Sequence, residues 1–199
     1  MTFYVSIVKK RILLSLALFA ATTVVYAQNT TEQCYRGNFE IGYFYNGGES
    51  DTYRYAANMI SINTSHGFQF NPYLYLGAGM GFHFYKKHEN KYAKRAESVE
   101  IPLFFNVRGI IGTGKICVFA DAKAGAYLTE SMYPYLGLLM GLRFATDEKK
   151  AITFSFGYES SSLDFLDRRY NYVHFVEVES NTTKKASVPG ISFKVGFEF

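Results

Sequence analysis

Apolar and polar side chains alternate along most of this chain with a period of two residues. Such alternation is typical of β-strands, because successive side chains point to opposite faces of a sheet. It recurs in about eight segments of roughly ten residues, the length that a tilted strand needs to cross a bilayer. The clearest are residues 74–84, 136–144, 152–159 and 191–199. The pattern therefore predicts an all-β fold.

Two of these segments carry additional information. Around residues 54–68 the alternation is weakest, and Ile60 and Ile62 could face either side of the sheet, so the faces of this second strand stay open. In the third segment Gly77, Gly79 and Gly81 share one face. A row of glycines marks a place where a barrel wall must admit bulky neighbours.

The connections between the predicted strands are alternately short and long. A tight turn lies at residues 71–72 and another at 146–150, whereas 86–98 and 160–185 read as long polar loops. Bacterial transmembrane barrels have short periplasmic turns and longer extracellular loops in this order. Only the connection at residues 129–133 is shorter than expected for a loop on the extracellular side. The order predicts an eight-stranded antiparallel up-and-down transmembrane β-barrel over residues 38–199.

The N-terminus has a different pattern. Basic residues at 9–11 precede an apolar stretch at 12–25, and Ala27 follows shortly after. A basic region, a hydrophobic core of this length and a small residue at the cleavage position are typical of a secretory signal peptide. A transmembrane helix would need about 20 apolar residues. We therefore expect residues 1–27 to be a signal peptide and 28–37 an N-terminal periplasmic segment.

Composition and charge narrow the class of protein. The chain contains 19 Phe, 17 Tyr and 17 Gly but no Trp and only 4 Pro. This composition favours strands and suits a barrel with aromatic side chains at the membrane interfaces. Removal of residues 1–27 leaves 18 basic and 17 acidic residues, so the net charge falls from +4 to +1. A nucleic-acid partner would need a basic face that survives processing, so we expect none.

The sequence contains no recognisable catalytic or metal-binding constellation. Cys34 and Cys117 have no metal-ligand spacing, and nothing in the sequence places them near each other, so no disulfide is predicted. Catalysis would require a nucleophile, a base and an orienting group within hydrogen-bond reach. His66, next to Ser65, precedes a predicted turn, and His174 lies in a predicted loop. We predict no enzymatic activity, no metal and no cofactor.

Residues 66–81, which read His-Gly-Phe-Gln-Phe-Asn-Pro-Tyr-Leu-Tyr-Leu-Gly-Ala-Gly-Met-Gly, resemble the small outer-membrane β-barrel domain family, often labelled porin-like or OmpA-like. Residues 101–108, 118–125 and 195–199 resemble the middle and final strands of that family. The resemblance covers essentially the whole chain after the signal peptide. It implies a Gram-negative outer membrane and no common enzymatic activity, while the even number of predicted strands places both termini in the periplasm. It also implies that Phe199 is an insertion signal read by the barrel-insertion machinery.

The charged residues predicted to face the interior are almost balanced. The acids are Glu40, Glu100, Asp121, Glu159 and Glu198, and the bases are Arg108, Lys123, Arg143 and Lys194. A barrel of about eight strands has an interior just wide enough to be filled by side chains, and buried charges are tolerated when they are paired. We therefore predict a plugged, ion-paired lumen, in which Arg108, Asp121 and Lys123 on neighbouring strands form part of the network.

One predicted extracellular loop is strongly basic. Its cationic residues are Lys86, Lys87, Lys91, Lys94 and Arg95. They could attract the phosphates of lipopolysaccharide or acidic glycans. A solvated loop explains the same residues, and we favour that interpretation because charge runs in loops need no ligand.

Two classes of function remain after this reading. The preferred one is a structural or surface-interaction protein that presents extracellular loops to an unknown ligand. The alternative is a narrow porin-like channel for small solutes, which ten or more strands or a lumen of one charge sign would favour. A soluble secreted barrel of the lipocalin type ranks third, behind these two classes.

Overall fold

The computed structural model describes residues 34–46, 55–89, 93–128, 132–147, 150–173 and 176–199, with side chains except at 168–181. The predicted signal peptide, residues 1–27, lies outside the described residues. The strands are β1 Cys34–Tyr45, β2 Met59–Asn71, β3 Leu74–Tyr85, β4 His88–Glu89, β5 Ala93–Arg95, β6 Ser98–Glu100, β7 Pro102–Ile111, β8 Ile116–Tyr127, β9 Pro134–Ala145, β10 Ala151–Val173 and β11 Val176–Glu198. No helix among the described residues is long and apolar enough to cross a membrane.

Eight antiparallel walls close into a barrel, where a wall is one long strand or the pair β6 and β7. Each wall pairs with the next along the chain, and β11 pairs with both β10 and β1, where Asn38 lies opposite Glu198. The short β6 and the longer β7 form one wall, since both pair with β3 in a single register. The ladder is interrupted at Pro102, which has no N–H to donate. The predicted eight-stranded antiparallel up-and-down barrel is therefore confirmed.

The two faces of each wall differ in polarity as the alternation predicted. On β1, Phe39 and Ile41 are exposed on the outside, whereas Asn38 and Glu40 are buried inside. The second strand, which the sequence left open, follows the same rule. Its Ile60 faces outward, and the neighbouring Ser61 and Asn63 are buried. Polar side chains thus fill the interior and apolar ones cover the outside.

The glycine row of β3 lies on the inward side, beside buried side chains of neighbouring walls. A Cβ atom at Gly79 would overlap the ring of Phe104, and one at Gly81 would overlap the side chain of Asn63. Phe104 and Asn63 are themselves almost completely buried. The glycines therefore make room for bulky interior groups.

Two boundaries differ from the predicted ones. The barrel begins at Cys34, within the segment 28–37 that was expected to precede it, because residues 34–37 continue the ladder with β2 and place Cys34 opposite Gln69. The predicted long loop at 160–185 is wrong. There β10 and β11 continue as a paired hairpin as far as Val173 and Val176.

That hairpin was missed because its polarity is inverted relative to the rest of the wall. Leu163 and Phe165 are buried on its inner face, whereas Ser162 and Asp164 lie on its outer face. The alternation of apolar outward and polar inward residues therefore ends at Ser160, whereas strand β10 continues beyond it. We call the barrel end that bears this hairpin the loop end and the opposite end, which carries the tight turns, the turn end.

The close approach at Gly79 yields a test of the interior packing. Replacing Gly79 with Val should lower the free energy of unfolding by about 1–3 kcal/mol, since the added side chain would displace Phe104. Ala78→Val on the outer face of the same strand is the matched control and should have little effect. Urea unfolding of the refolded protein in detergent, followed by circular dichroism, measures both. Equal midpoints for the two variants would contradict the packing described.

Candidate functional site

The centre of the interior is organised around the guanidinium of Arg108. Its NH1 lies 2.7 Å from Glu198 Oε1, and its NH2 lies 3.0 Å from Glu40 Oε1 and 2.8 Å from Asp121 Oδ2. All four side chains are buried. Because the acids stand on β1, β8 and β11, one cation from β7 ties four walls of the barrel together.

The other predicted lumenal bases lie around this centre. Lys123 pairs with Glu40 and lies 3.9 Å from Asp121. Arg143 donates through Nε to Glu198 Oε2 at 2.6 Å. Each of the three carboxylates bound by Arg108 therefore contacts at least one further cation.

A second ion pair lies apart from that centre. Lys194 donates through Nζ to Glu159 Oε1 at 2.6 Å, and the Tyr135 hydroxyl donates to the same oxygen at 2.5 Å. Glu100, the remaining predicted lumenal acid, lies near the loop end, where Arg95 NH2 is 3.3 Å from its Oε1. The nine predicted lumenal residues thus all turn inward, in three groups.

Several interior residues were not singled out from the sequence. Arg36 NH1 lies 3.6 Å from Glu198 Oε2, and its place two residues before Asn38 on the inward side continues the alternation. Extending the first strand by one pair would have found it. Phe119 was also missed, and its ring centroid lies 4.5 Å from the Arg108 guanidinium carbon, a favourable cation–π geometry.

Neutral polar groups fill the interior between the ion pairs and the loop end. His83 Nδ1 lies 2.9 Å from the Tyr127 hydroxyl, and its Nε2 lies 3.1 Å from Asn63 Oδ1. The Tyr85 hydroxyl lies 3.0 Å from both the Tyr127 hydroxyl and Ser161 Oγ. This chain of hydrogen bonds satisfies polar groups that would be costly to bury alone.

The loop end itself is closed by an apolar cluster. It contains Phe44, Ala57, Met59, Tyr85, Ala93, Leu163, Phe165, Ala186 and Val188. These residues come from the wall strands, from the segment before β2, from β5 and from the hairpin of β10 and β11. The interior of the barrel is therefore covered at this end by a core like that of a water-soluble protein.

The basic segment at residues 86–95 divides between two environments. Lys86 and Lys87 are exposed, and Lys94 is half-buried, while Lys91 lies outside the described residues. Arg95 does not belong to the exposed surface. Its guanidinium lies 4.6 Å from the centre of the Tyr85 ring and is buried, which lowers its pKa, although arginine stays charged.

The void beside Arg108 is small, whereas a larger one lies next to Arg36 and Arg143. The cavity next to Arg108, which Tyr75 and Gln69 also line, has a volume of about 10 Å³, room for about one water at most. A larger cavity of about 260 Å³ lies at the turn end. Cys34 and Cys117 both line it, and both are free thiols.

The histidines are distributed over unrelated places. His83 and His88 are buried, His66 lies on the outer face, and His174 is outside the described residues. Within the described part of the chain, no group of three or more His, Cys, Asp or Glu side chains could hold a metal ion.

The C-terminal Phe199 closes the ladder between β11 and β1. Its N–H donates to the Gly37 carbonyl at 2.9 Å, and the Gly37 N–H donates to its carbonyl at 2.7 Å. A Cβ atom at Gly37 would overlap the Phe199 ring, which lies on the outer face. Glycine therefore lets the terminal ring lie flat against β1.

Comparison with known proteins does not assign the chain to a family. No known family model matches the chain, and no curated protein matches it. The resemblance to small outer-membrane barrels stays a prediction from the sequence.

The ion pairs around Arg108 make a stability prediction. Arg108→Met should lower the free energy of unfolding by about 3–5 kcal/mol, because it leaves buried carboxylates without their cation. Combining it with Asp121→Asn removes one of these charges and should recover part of the loss. Lys86→Met, at an exposed lysine, is the control. Urea midpoints in detergent measure the effect, and an Arg108→Met midpoint equal to that of Lys86→Met would contradict it.

Proposed function

We propose that this chain is an outer-membrane β-barrel protein with a plugged lumen and a structural or surface-interaction role. The observation that carries the proposal is the apolar outer face of all eight walls. Representative exposed residues, one from each wall, are Ile41, Ile60, Met80, Phe105, Val118, Leu138, Phe154 and Phe193. Soluble monomers rarely expose a contiguous apolar surface of this extent, whereas the hydrocarbon core of a bilayer requires one.

Aromatic side chains lie at both margins of this surface. Tyr35 and Phe68 are exposed near the turn end, and Tyr45 and Tyr158 near the loop end. The ten steps between residues from Tyr35 to Tyr45 span about 33 Å of strand, or about 25 Å along the axis of a barrel with the usual tilt. Both the height and the aromatic margins agree with the outer band of membrane barrels. We call the outward side chains between these margins the apolar band.

The band has a sharp limit on the paired strands β10 and β11. Tyr158 lies opposite Ile191 inside it, and two residues further on Ser160 lies opposite Pro189. Beyond this level the outer face carries Ser162, opposite Ser187. The change from apolar to polar supports a boundary between lipid and water at the loop end, which would face the outside of the cell.

Two further features support the same arrangement. The exposed Lys86 and Lys87 follow Phe84, an outward residue near the upper margin of the band, so their charges would lie at the level of lipopolysaccharide phosphates. The long hairpin of β10 and β11 continues beyond that level and would present the main surface for an extracellular ligand. Phe199 at the turn end would be the residue read by the insertion machinery.

The filled interior favours a plugged barrel over a channel. The buried ion pairs leave a cavity of only about 10 Å³ beside Arg108, and the apolar cluster closes the loop end. A water-filled pore would need a continuous polar passage, which larger barrels provide.

A charge placed in the apolar band tests the membrane location. Phe156→Arg should destabilise the barrel in membranes by about 1–3 kcal/mol, because arginine is costly inside the hydrocarbon layer, most at its midplane and less towards its margin. Ser162→Arg, on the same face of the same strand beyond the band, is the matched control and should be tolerated. Isolated outer membranes run on SDS gels with and without boiling give the readout.

We expect the unmodified protein to be found in the outer membrane with a mobility that shifts on boiling. Phe156→Arg should reduce the folded band and Ser162→Arg should not. If the processed protein stays soluble in the periplasm, and Phe156→Arg behaves like Ser162→Arg, the proposal is wrong and a soluble barrel takes its place.

Conductance measurements distinguish the plugged barrel from a channel. The refolded protein in planar bilayers should give no discrete current steps, because ion pairs and the apolar cluster occupy the interior. An open porin added to the same bilayers serves as the positive control. Reproducible steps from protein that shows the boiling-dependent shift would favour the narrow channel instead.

A further inference from the structure

The apolar band contains one polar patch. Among the described wall residues, Thr64 and His66 of β2 are the only outward side chains in the band that are neither apolar nor tyrosine, glycine apart. An ionisable side chain that faces lipid is costly, so such residues are rare and usually mark a function. They also explain why the alternation of this strand was the weakest in the sequence.

These two side chains form a connected group with Tyr35 of β1. The Tyr35 hydroxyl lies 2.5 Å from His66 Nδ1, and Thr64 Oγ1 lies 3.0 Å from His66 Nε2. The rings of Tyr35 and His66 are stacked with their centroids 6.0 Å apart. Each ring nitrogen of His66 therefore lies within hydrogen-bond distance of one hydroxyl group, that of Tyr35 on β1 or that of Thr64 on β2.

The surroundings of the ring are open on one side. The residues opposite His66 are Gly37 on β1 and Ala78 on β3, both small. The Phe199 ring covers Gly37 and meets the His66 ring edge to face at 6.3 Å. Because Ala78 is small, the imidazole can be reached from the β3 side, whereas Met80 lies opposite Thr64.

We propose that Tyr35, Thr64 and His66 bind the phosphate of a phospholipid in the leaflet at the turn end. When the imidazole carries two protons, each ring N–H donates to a hydroxyl oxygen. Each hydroxyl then keeps its own hydrogen to donate to a phosphate oxygen, and the ring supplies a positive charge. Hydrogen bonds to an ionised acceptor such as this phosphate are stronger than those between neutral groups.

Apolar neighbours suit the rest of the lipid. The Phe68 ring lies 6.4 Å from that of Tyr35, and the Phe199 ring lies 6.3 Å from that of His66, both nearer the turn end than Thr64. Met80, which is exposed and lies opposite Thr64 on the side of the band's middle, would contact the first carbons of the acyl chains. The site rests on the proposed membrane location, since it needs a leaflet at this height of the barrel.

Native mass spectrometry of the refolded full-length mature barrel in detergent tests the site. The probes are phosphatidylglycerol and diacylglycerol with the same acyl chains, which differ in the phosphate-containing headgroup. We expect retention of one phosphatidylglycerol and much weaker retention of diacylglycerol. His66→Leu should weaken phosphatidylglycerol binding roughly tenfold, the usual effect of losing a charged hydrogen-bond partner. Inorganic phosphate at millimolar concentration should not compete if the lipid as a whole is the ligand.

Tyr35→Phe and Tyr43→Phe, at opposite margins of the band on β1, provide a matched pair of hydroxyl deletions. Tyr35→Phe removes a hydroxyl that contacts His66 and should weaken binding several-fold, as should Thr64→Val. Tyr43→Phe, the same change near the other margin of the band, should leave binding unchanged. Each variant is first checked for the boiling-dependent mobility shift, which reports the folded barrel independently of the lipid.

The outcomes separate the site from the membrane location. Equal retention of the two lipids, or equal effects of Tyr35→Phe and Tyr43→Phe, in proteins that all show the mobility shift would overturn the site and leave the membrane barrel standing. The hydrogen bonds among Tyr35, Thr64 and His66 would then serve only to satisfy the polar groups of these three side chains. Competition by inorganic phosphate would identify a free anion as the ligand. A wild-type protein without a mobility shift would overturn both proposals.

Discussion

The pairing of Arg108 with three carboxylates is the interaction on which the rest of the barrel depends. Its partners Glu40, Asp121 and Glu198 stand on three other walls, and a buried charge is stable only when it is paired. A shift of any of these strands by one residue would move its charge to the outer face. The ion pairs therefore select the register of the walls as well as filling the space between them.

The two faces of β10 exchange polarity along the strand. Between Ile152 and Tyr158 the outer face of β10 is apolar and the inner face is polar, whereas beyond Ser160 the inner face carries Leu163 and Phe165. The proposed membrane location would account for this inversion. A polar interior with an apolar exterior suits a part of the barrel surrounded by lipid, and an apolar core with a polar exterior suits a part surrounded by water.

The interior site could be predicted in outline but not in its connections. The inward position of Glu40, Arg108 and the other predicted charges follows from period-two alternation, because parity alone assigns a face. The distances between them do not, since they depend on which walls lie across the lumen and at what height. Arg95 shows the limit most clearly. In the sequence it belongs to a run of basic loop residues, yet in the structure it is buried at the loop end, where it contacts Tyr85 and Glu100.

By itself the sequence determined the class of fold, the eight walls and the faces of the clearly alternating strands, but not those of β2 or of the β10–β11 hairpin, because these features depend only on local alternation and turn residues. The tertiary structure alone decided the length of the β10–β11 hairpin, the closure of the loop end and the grouping of Tyr35, Thr64 and His66. Those features join residues from different strands at matching heights. The height of a residue is set by the register of all its neighbours around a closed barrel, which no single segment of sequence contains.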